Sequence, residues 1–140
     1  MKWIVAKMEE VGVACNPNYN IAFYMDSSAM ISVHLPERNS VVEVKPLGVI
    51  WQKFGETHGW SPKNTLFVDD IKRNYVMNER NGCRIRPFRN AHANRATDRE
   101  LVRLGKYIKK LALTCDDFST IQDHESAYKR CDDSPRDLFK

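Results

Sequence analysis

A four-residue run, Thr65-Leu66-Phe67-Val68, ends abruptly at two adjacent carboxylates, Asp69 and Asp70. It limits the possible folds more than any other stretch of the chain. A run this short, with no polar alternation, suits a strand buried on both faces, as in a parallel sheet covered by helices. In open parallel sheets the ligand sits beyond the carboxyl ends of the strands. A second candidate strand, Val41-Val42-Glu43-Val44, also ends in charge, at Lys45.

The rest of the chain alternates in the way such a sheet requires. Ile4, Met8 and Val11 recur at helical spacing before Gly12, which predicts an opening helix with a glycine at its end. Residues 19–25 (YNIAFYM) are aromatic and β-rich and read as a strand. Residues 29–35 and 41–45 read as two short strands around a Pro-Glu-Arg-Asn-Ser turn. Pro46 then opens a helix with an apolar stripe of Leu47, Ile50, Trp51 and Phe54. Asn81-Gly82 signals a turn, and residues 83–88 read as the last strand. Thr97 and Glu100 are spaced as a capping box, and Leu101, Leu104, Ile108 and Leu111 form the stripe of the helix behind it. A short helix is expected around Phe118, Ile121 and Tyr128, with a frayed, flexible tail over residues 129–140. Strands alternating with helices predict an α/β fold built on a parallel sheet.

Charge is distributed unevenly. Residues 1–71 carry 6 basic and 8 acidic side chains, residues 72–110 carry 12 and 3, and residues 111–140 carry 4 and 7. The central segment, at net +9, suits a partner or substrate bearing phosphates, although a solvated helix face would read the same way. The cysteines, Cys15, Cys83, Cys115 and Cys131, contain no CxxC and do not have zinc-site spacing. No apolar run is long enough for a membrane-spanning helix, and no basic-then-apolar leader follows Met1, so a reducing compartment and no membrane partner are expected.

Adjacent carboxylates at a strand end repel one another and favour a cation. Mg²⁺ takes hard oxygen ligands and often only one or two carboxylates from the protein. A lysine at a neighbouring strand end would neutralise an anionic substrate. Metal, lysine and carboxylate together make the equipment of phosphoryl transfer, where positioning and charge stabilisation dominate. An Asp-Asp pair that merely caps a turn, and a solvated lysine, are the plainer alternatives.

The stretches VKPLGVIWQKFG (44–55) and NTLFVDDIKRNYVMNERNGCRIRPF (64–88) resemble the ubiquitin-like domain-containing CTD phosphatases, in the FCP/SCP branch of the haloacid dehalogenase superfamily. The opening MKWIVAKMEEVGV, the segment YNIAFYMDSSAMISVH and the later AHANRATDRELVRLGKYIKKLA fit the same family, so the resemblance covers residues 1–128. It implies a Rossmann-like sheet with a small strand insertion, a Mg²⁺-dependent protein serine/threonine phosphatase, a phosphoserine or phosphothreonine protein as substrate, a nuclear location and no specific nucleic-acid partner. Relatives with an amino-terminal ubiquitin-like domain dock on the proteasome. By resemblance Lys45 matches the family's lysine, Asp70 the acidic residue that reaches Mg²⁺, and Asp69 its neighbour at the catalytic site. Arg73 and Asn74 lie in the following loop and would shape it.

The resemblance also exposes a departure. The family attacks phosphate with the first aspartate of a DxD motif, and no DxD occurs in these 140 residues. The family's serine/threonine motif, which would directly precede the stretch matching Met1-Lys2-Trp3, is missing too. The expectation is a carboxy-terminal part of the phosphatase domain without its nucleophile strand. Such a chain would be inactive alone, since no aspartyl-phosphate forms without the aspartate. The alternative is a non-catalytic protein that holds phosphoprotein or nucleic acid through residues 72–110.

Overall fold

A computed structural model describes residues 2–131. The chain divides into two compact units, Met1–Lys45 and Pro46–Lys140.

The first unit opens with helix α1 (Lys2–Glu10), and Gly12 lies just beyond it at φ +73°, as the glycine-terminated pattern predicts. Strands β1 (Ile31–Leu35) and β2 (Ser40–Val44) then form an antiparallel hairpin with Val33 opposite Val42. Pro36–Arg38 makes a single 3₁₀ turn, and Asn39 closes it in the left-handed region (φ 43°) that asparagine tolerates. Leu35 and Val44 are buried while Ser32, His34, Val41 and Glu43 face outward, the alternation of a half-buried ribbon. Residues 19–25 correct the sequence reading: they form no strand, and Tyr19, Phe23 and Met25 are exposed. Their composition suits a pleated surface, but a strand also requires a neighbour to take its backbone hydrogen bonds.

The second unit begins with helix α2 (Leu47–His58), which ends at Gly59 with φ +70°, its N–H donating to the Gly55 carbonyl at 2.7 Å. Pro46 takes the cap position but has no side chain able to accept from the first turn. Asn78 supplies that function from 31 residues away, its Oδ1 accepting from the Leu47 N–H at 3.1 Å. The buried run becomes strand β3 (Phe67–Asp69), paired in parallel with β4 (Gly82–Arg84) in the register Phe67–Gly82, Val68–Cys83, Asp69–Arg84. Strand β4 is shorter than the expected 83–88 because pairing ends where β3 turns away at Asp70; one further bond runs from the Ile85 N–H to the Asp69 carbonyl. A parallel pair needs a crossover of about a dozen residues, usually an α-helix. Here Lys72–Asn81 crosses as 3₁₀ turns, broken by non-helical backbone at Tyr75 and Asn78.

Helix α3 (Ala91–Asn94) is one turn, and α4 (Glu100–Thr114) is the long helix of the unit. Its buried face corrects the predicted stripe. Leu104, Tyr107 and Leu111 are buried together with Glu100, while Leu101 and Ile108 are exposed. The capping box also fails to form, because the Glu100 carboxylate accepts from the Arg86 N–H at 2.6 Å instead of turning back to Thr97. Asp98 takes up the capping role, accepting from the Glu100 N–H at 2.9 Å. Helix α5 (His124–Lys129) packs on β4 and α4 and completes a core of Cys83, Leu104, Tyr107, Leu111 and Tyr128. Burying leucines such as Leu104 and Leu111 contributes about 2 kcal/mol each. Within that core His124 links three elements. Its Nδ1 lies 2.5 Å from the Tyr107 hydroxyl and its Nε2 lies 3.0 Å from the Phe118 carbonyl. The expected tail, from residue 129 on, falls mostly outside the described residues.

The observed architecture is therefore a mixed α/β fold with two small sheets, one of them the expected parallel pair.

Candidate active site

The carboxyl ends of β3 and β4 open into a cleft of about 630 Å³, and Asp69 and Asp70 are among the residues that line it. This volume falls within the range of about 300–1,000 Å³ typical of ligand sites. The rest of its lining comes from the segment after β4 and the first turn of α4, with Arg86, Phe88, Arg95, Leu101 and Val102.

The two aspartates have different environments. Asp69, the last residue of β3, is half-buried, and its carboxylate is held on both oxygens by the Asn74 amide, at 2.9 and 3.0 Å. Its Oδ1 also accepts from the Ile71 N–H at 2.8 Å, which forms the tight turn out of the strand. Asn74 is itself buried, so this clamp belongs to the interior of the unit. Asp70 is exposed and forms no ion pair with any described residue. Of the two, Asp70 offers the more open carboxylate to a ligand.

Arg73 is exposed on the connector one residue before Asn74, and the structure gives it no bond to either aspartate. Lys45 is exposed and directly follows β2, at the end of the first unit, whereas Asp69 and Asp70 belong to the second.

Other groups beside the cleft are chemically quiet. Cys83 is completely buried next to Val68 and Ile85; burial first, and the charge of Glu125 second, push its thiol up to about 12, so it stays protonated and non-nucleophilic near neutrality. Burial likewise raises Tyr75 to about 12. No group of three or more His, Cys, Asp or Glu side chains able to enclose a metal exists among the described residues. The described residues therefore build no all-protein zinc or calcium cage. One open carboxylate beside one clamped carboxylate, facing a cleft that admits water and ligand, does fit the sparse ligation of Mg²⁺.

Sequence reasoning named Asn74 through the family resemblance but missed Arg86, Asn78 and the tertiary bonds of Asn81. Arg86 donates to Asp98 at 2.7 Å and approaches Glu100 at 3.5 Å, tying one wall of the cleft to the start of α4. Asn74, Asn78 and Asn81 each form a specific tertiary bond. Asn81, also buried, donates to the carbonyls of Pro62 and Thr65, both at 2.7 Å. Gly82 is equally determined: a Cβ there would lie 2.0 Å from the Tyr75 ring. The available signal was the density of Asn and Gly in NYVMNERNG, which is unfavourable for a helix and favourable for side-chain bonds to backbone.

Comparison with known proteins identifies the family. Residues 10–119 match the model of the NLI interacting factor-like phosphatase family. The chain is 53% identical over 121 residues to Ubiquitin-like domain-containing CTD phosphatase 1 of Drosophila melanogaster, covering 86% of this chain and 37% of that protein. It is 58% identical over 119 residues to the Danio rerio protein of the same name (85% and 36%) and 56% identical over 118 residues to the Homo sapiens one (84% and 36%). The chain thus spans a little over a third of the length of these relatives. With the aspartate pair at the mouth of a parallel strand pair and the family model covering most of the sequence, the chain belongs to the NLI interacting factor-like phosphatases.

Proposed function

We propose that this chain carries the metal-binding and phosphate-orienting part of a Mg²⁺-dependent protein serine/threonine phosphatase, one that acts on phosphoserine or phosphothreonine proteins in the nucleus. The observation that carries the reading is the pair Asp69-Asp70 at the carboxyl end of β3, lining a ligand-sized cleft. Asp70 would hold Mg²⁺, with water and substrate phosphate completing its shell. When bound, the ion would neutralise phosphate charge. Asp69, clamped by Asn74, fixes the backbone that presents Asp70. By family resemblance Lys45 would be the lysine that stabilises a phosphoryl group as negative charge shifts onto its oxygens. The attacking aspartate is not among these residues, since no DxD occurs in the sequence.

The test has two arms. The purified chain should release no p-nitrophenol from p-nitrophenyl phosphate above background with excess Mg²⁺. Mg²⁺-dependent turnover that vanishes in Asp70→Ala would show that another residue attacks. In the second arm, fluorescence anisotropy with a labelled phosphoserine peptide should show tighter binding when Mg²⁺ is added, with the gain lost in Asp70→Asn. Binding that ignores both Mg²⁺ and Asp70 would overturn the metal assignment.

The net +9 of residues 72–110 favours a second reading, a non-catalytic module that holds phosphoprotein or nucleic acid. Nonspecific phosphate contacts weaken steeply with salt. Tight, sequence-selective binding to RNA or DNA at about 0.15 M salt, where the screening length is about 8 Å, would establish it.

A further inference from the structure

The connector that leads into β4 ends in Asn81-Gly82, the only Asn-Gly dipeptide in the sequence. An asparagine amide is open to attack at Cγ by the backbone nitrogen of the next residue. Glycine in that place has no Cβ in the way and lets the backbone swing into the attacking geometry. The Gly82 nitrogen gives up its proton and bonds to Asn81 Cγ, the Cγ–Nδ2 bond breaks, and the amide nitrogen leaves as ammonia. Water then opens the resulting succinimide at either carbonyl, giving aspartate or isoaspartate. The sum is one water taken up and one ammonia released, with no change of oxidation state.

The fold blocks this reaction at both partners. Asn81 is 3% exposed, and its Nδ2 donates to the carbonyls of Pro62 and Thr65, so the amide is held from two sides. The Gly82 N–H donates to the Glu79 carbonyl, which engages the attacking nitrogen and its proton. Gly82 itself has extended backbone (φ −83°, ψ 129°), pairs in register with Phe67 and lies against the Tyr75 ring. Ring closure requires the Asn81 amide to leave both carbonyls and the following peptide to rotate, and close packing leaves room for neither. The same contacts reject the product. Aspartate at position 81 would set a carboxylate oxygen against two carbonyl acceptors in a buried place. Isoaspartate would add a methylene to the main chain just before Gly82, where even a Cβ would lie 2.0 Å from Tyr75.

We infer that Asn81-Gly82 is a modification site that the fold keeps shut: deamidation proceeds there through the opened chain and prevents that chain from regaining the native second unit. The pairing that starts at Phe67–Gly82 runs on to Asp69–Arg84 at the cleft, so the lesion also removes the strand pair that presents the aspartates. The dipeptide acts as a record of unfolding. Time spent folded leaves it intact, and time spent unfolded is fixed in covalent form.

The experiment ages the whole 140-residue chain in near-neutral buffer, once native and once fully unfolded in guanidinium chloride, and follows Asn81 by mass-spectrometric peptide mapping. Conversion in the native sample should be slower by about 10³-fold or more, the scale set by the small unfolded fraction of a stable domain. Asn78→Ala, which weakens the connector without touching the dipeptide, should speed native conversion about fivefold and leave the denatured rate unchanged. The aged denatured sample is then diluted, and refolded chain is separated from unrefolded chain by size. The refolded fraction should retain asparagine at position 81, and aspartate and isoaspartate should collect in the unrefolded fraction. Native conversion as fast as the denatured one overturns the inference, since the fold then gives no protection. Converted Asn81 in the refolded fraction, at the proportion present before dilution, also overturns it, since the product is then tolerated. So does an unchanged native rate in an Asn78→Ala chain that has lost stability, because conversion then does not pass through the opened chain.

Discussion

Thr65-Leu66-Phe67-Val68 and residues 19–25 have similar composition, both rich in apolar and β-forming side chains, but they reach different ends. The first contributes to a parallel strand whose partner, β4, is returned to it by a connector with tertiary bonds along its length. The second remains irregular, with its aromatic side chains partly in solvent. The difference lies in the surroundings. A strand is stable when a neighbour takes its N–H and C=O groups and something covers its face; β3 has β4 beside it, whereas residues 19–25 pair with no strand. The connector of the second unit should therefore be sensitive to single substitutions, and residues 19–25 should be tolerant.

The largest effect is expected at Gly82. In Gly82→Ala the new methyl would lie 2.0–2.2 Å from two carbons of the Tyr75 ring, and Tyr75 is only 3% exposed. Urea unfolding should show a loss of about 3 kcal/mol or more, or no folded protein at all. Partial recovery in the double variant with Tyr75→Leu would tie the loss to the ring. Tolerance of alanine would mean that the connector yields where the comparison takes it to be rigid.

Next in size is Asn81→Ala, which strands the carbonyls of Pro62 and Thr65. About 2 kcal/mol is expected from the same unfolding curve, given the cost of leaving part-buried acceptors unmatched. Asn78→Ala should cost less, about 1 kcal/mol, the usual value of a lost helix cap. Hydrogen exchange would sharpen this third prediction, because the increase should concentrate in the first turn of α2. The smallest effect belongs to the other region. Met25→Thr, at a position 43% exposed, should change stability by no more than about 0.5 kcal/mol. A loss comparable to that of Asn81→Ala would show that residues 19–25 carry packing of their own and would break the comparison.

How much could be read in advance follows the same division. The hairpin, α2 and the parallel strand ending at Asp69 were legible because their signals are local: alternation, Pro46 before an apolar stripe, and an unbroken apolar run against charge. Asn74 was legible as a site-shaping residue only through family resemblance; its grip on Asp69 spans five residues of irregular backbone that no periodicity describes. The α4 stripe went wrong at Leu101 and Ile108 because counting aliphatic residues overlooked Tyr107, whose ring fills the core while Leu101 joins the cleft wall. Glu100 matched a capping motif yet bonds to Arg86, because a buried carboxylate is better satisfied by the backbone N–H and guanidinium of Arg86 than by its own helix end. Whether Lys45 joins the aspartates was predicted from sequence spacing and remains part of the proposal.

The buried imidazole of His124 has a consequence for spectroscopy. The Phe118 carbonyl can only accept, so Nε2 must carry the proton; Nδ1 must then accept, and the Tyr107 hydroxyl must donate. One tautomer is enforced. Burial also holds the ring's pKa below the ordinary histidine value, against the hydrogen bond that Nε2–H donates to the Phe118 carbonyl, which pulls the other way. The unfolded chain therefore takes up this proton first, and the folded state loses ground as pH falls from about 6.5 towards the lowered folded value, with no penalty from this group above that window. In a ¹⁵N-labelled sample the Nε2–H should appear as a sharp, slowly exchanging signal far from the amide region, a resident reporter of whether α4, α5 and the turn at Phe118 are assembled.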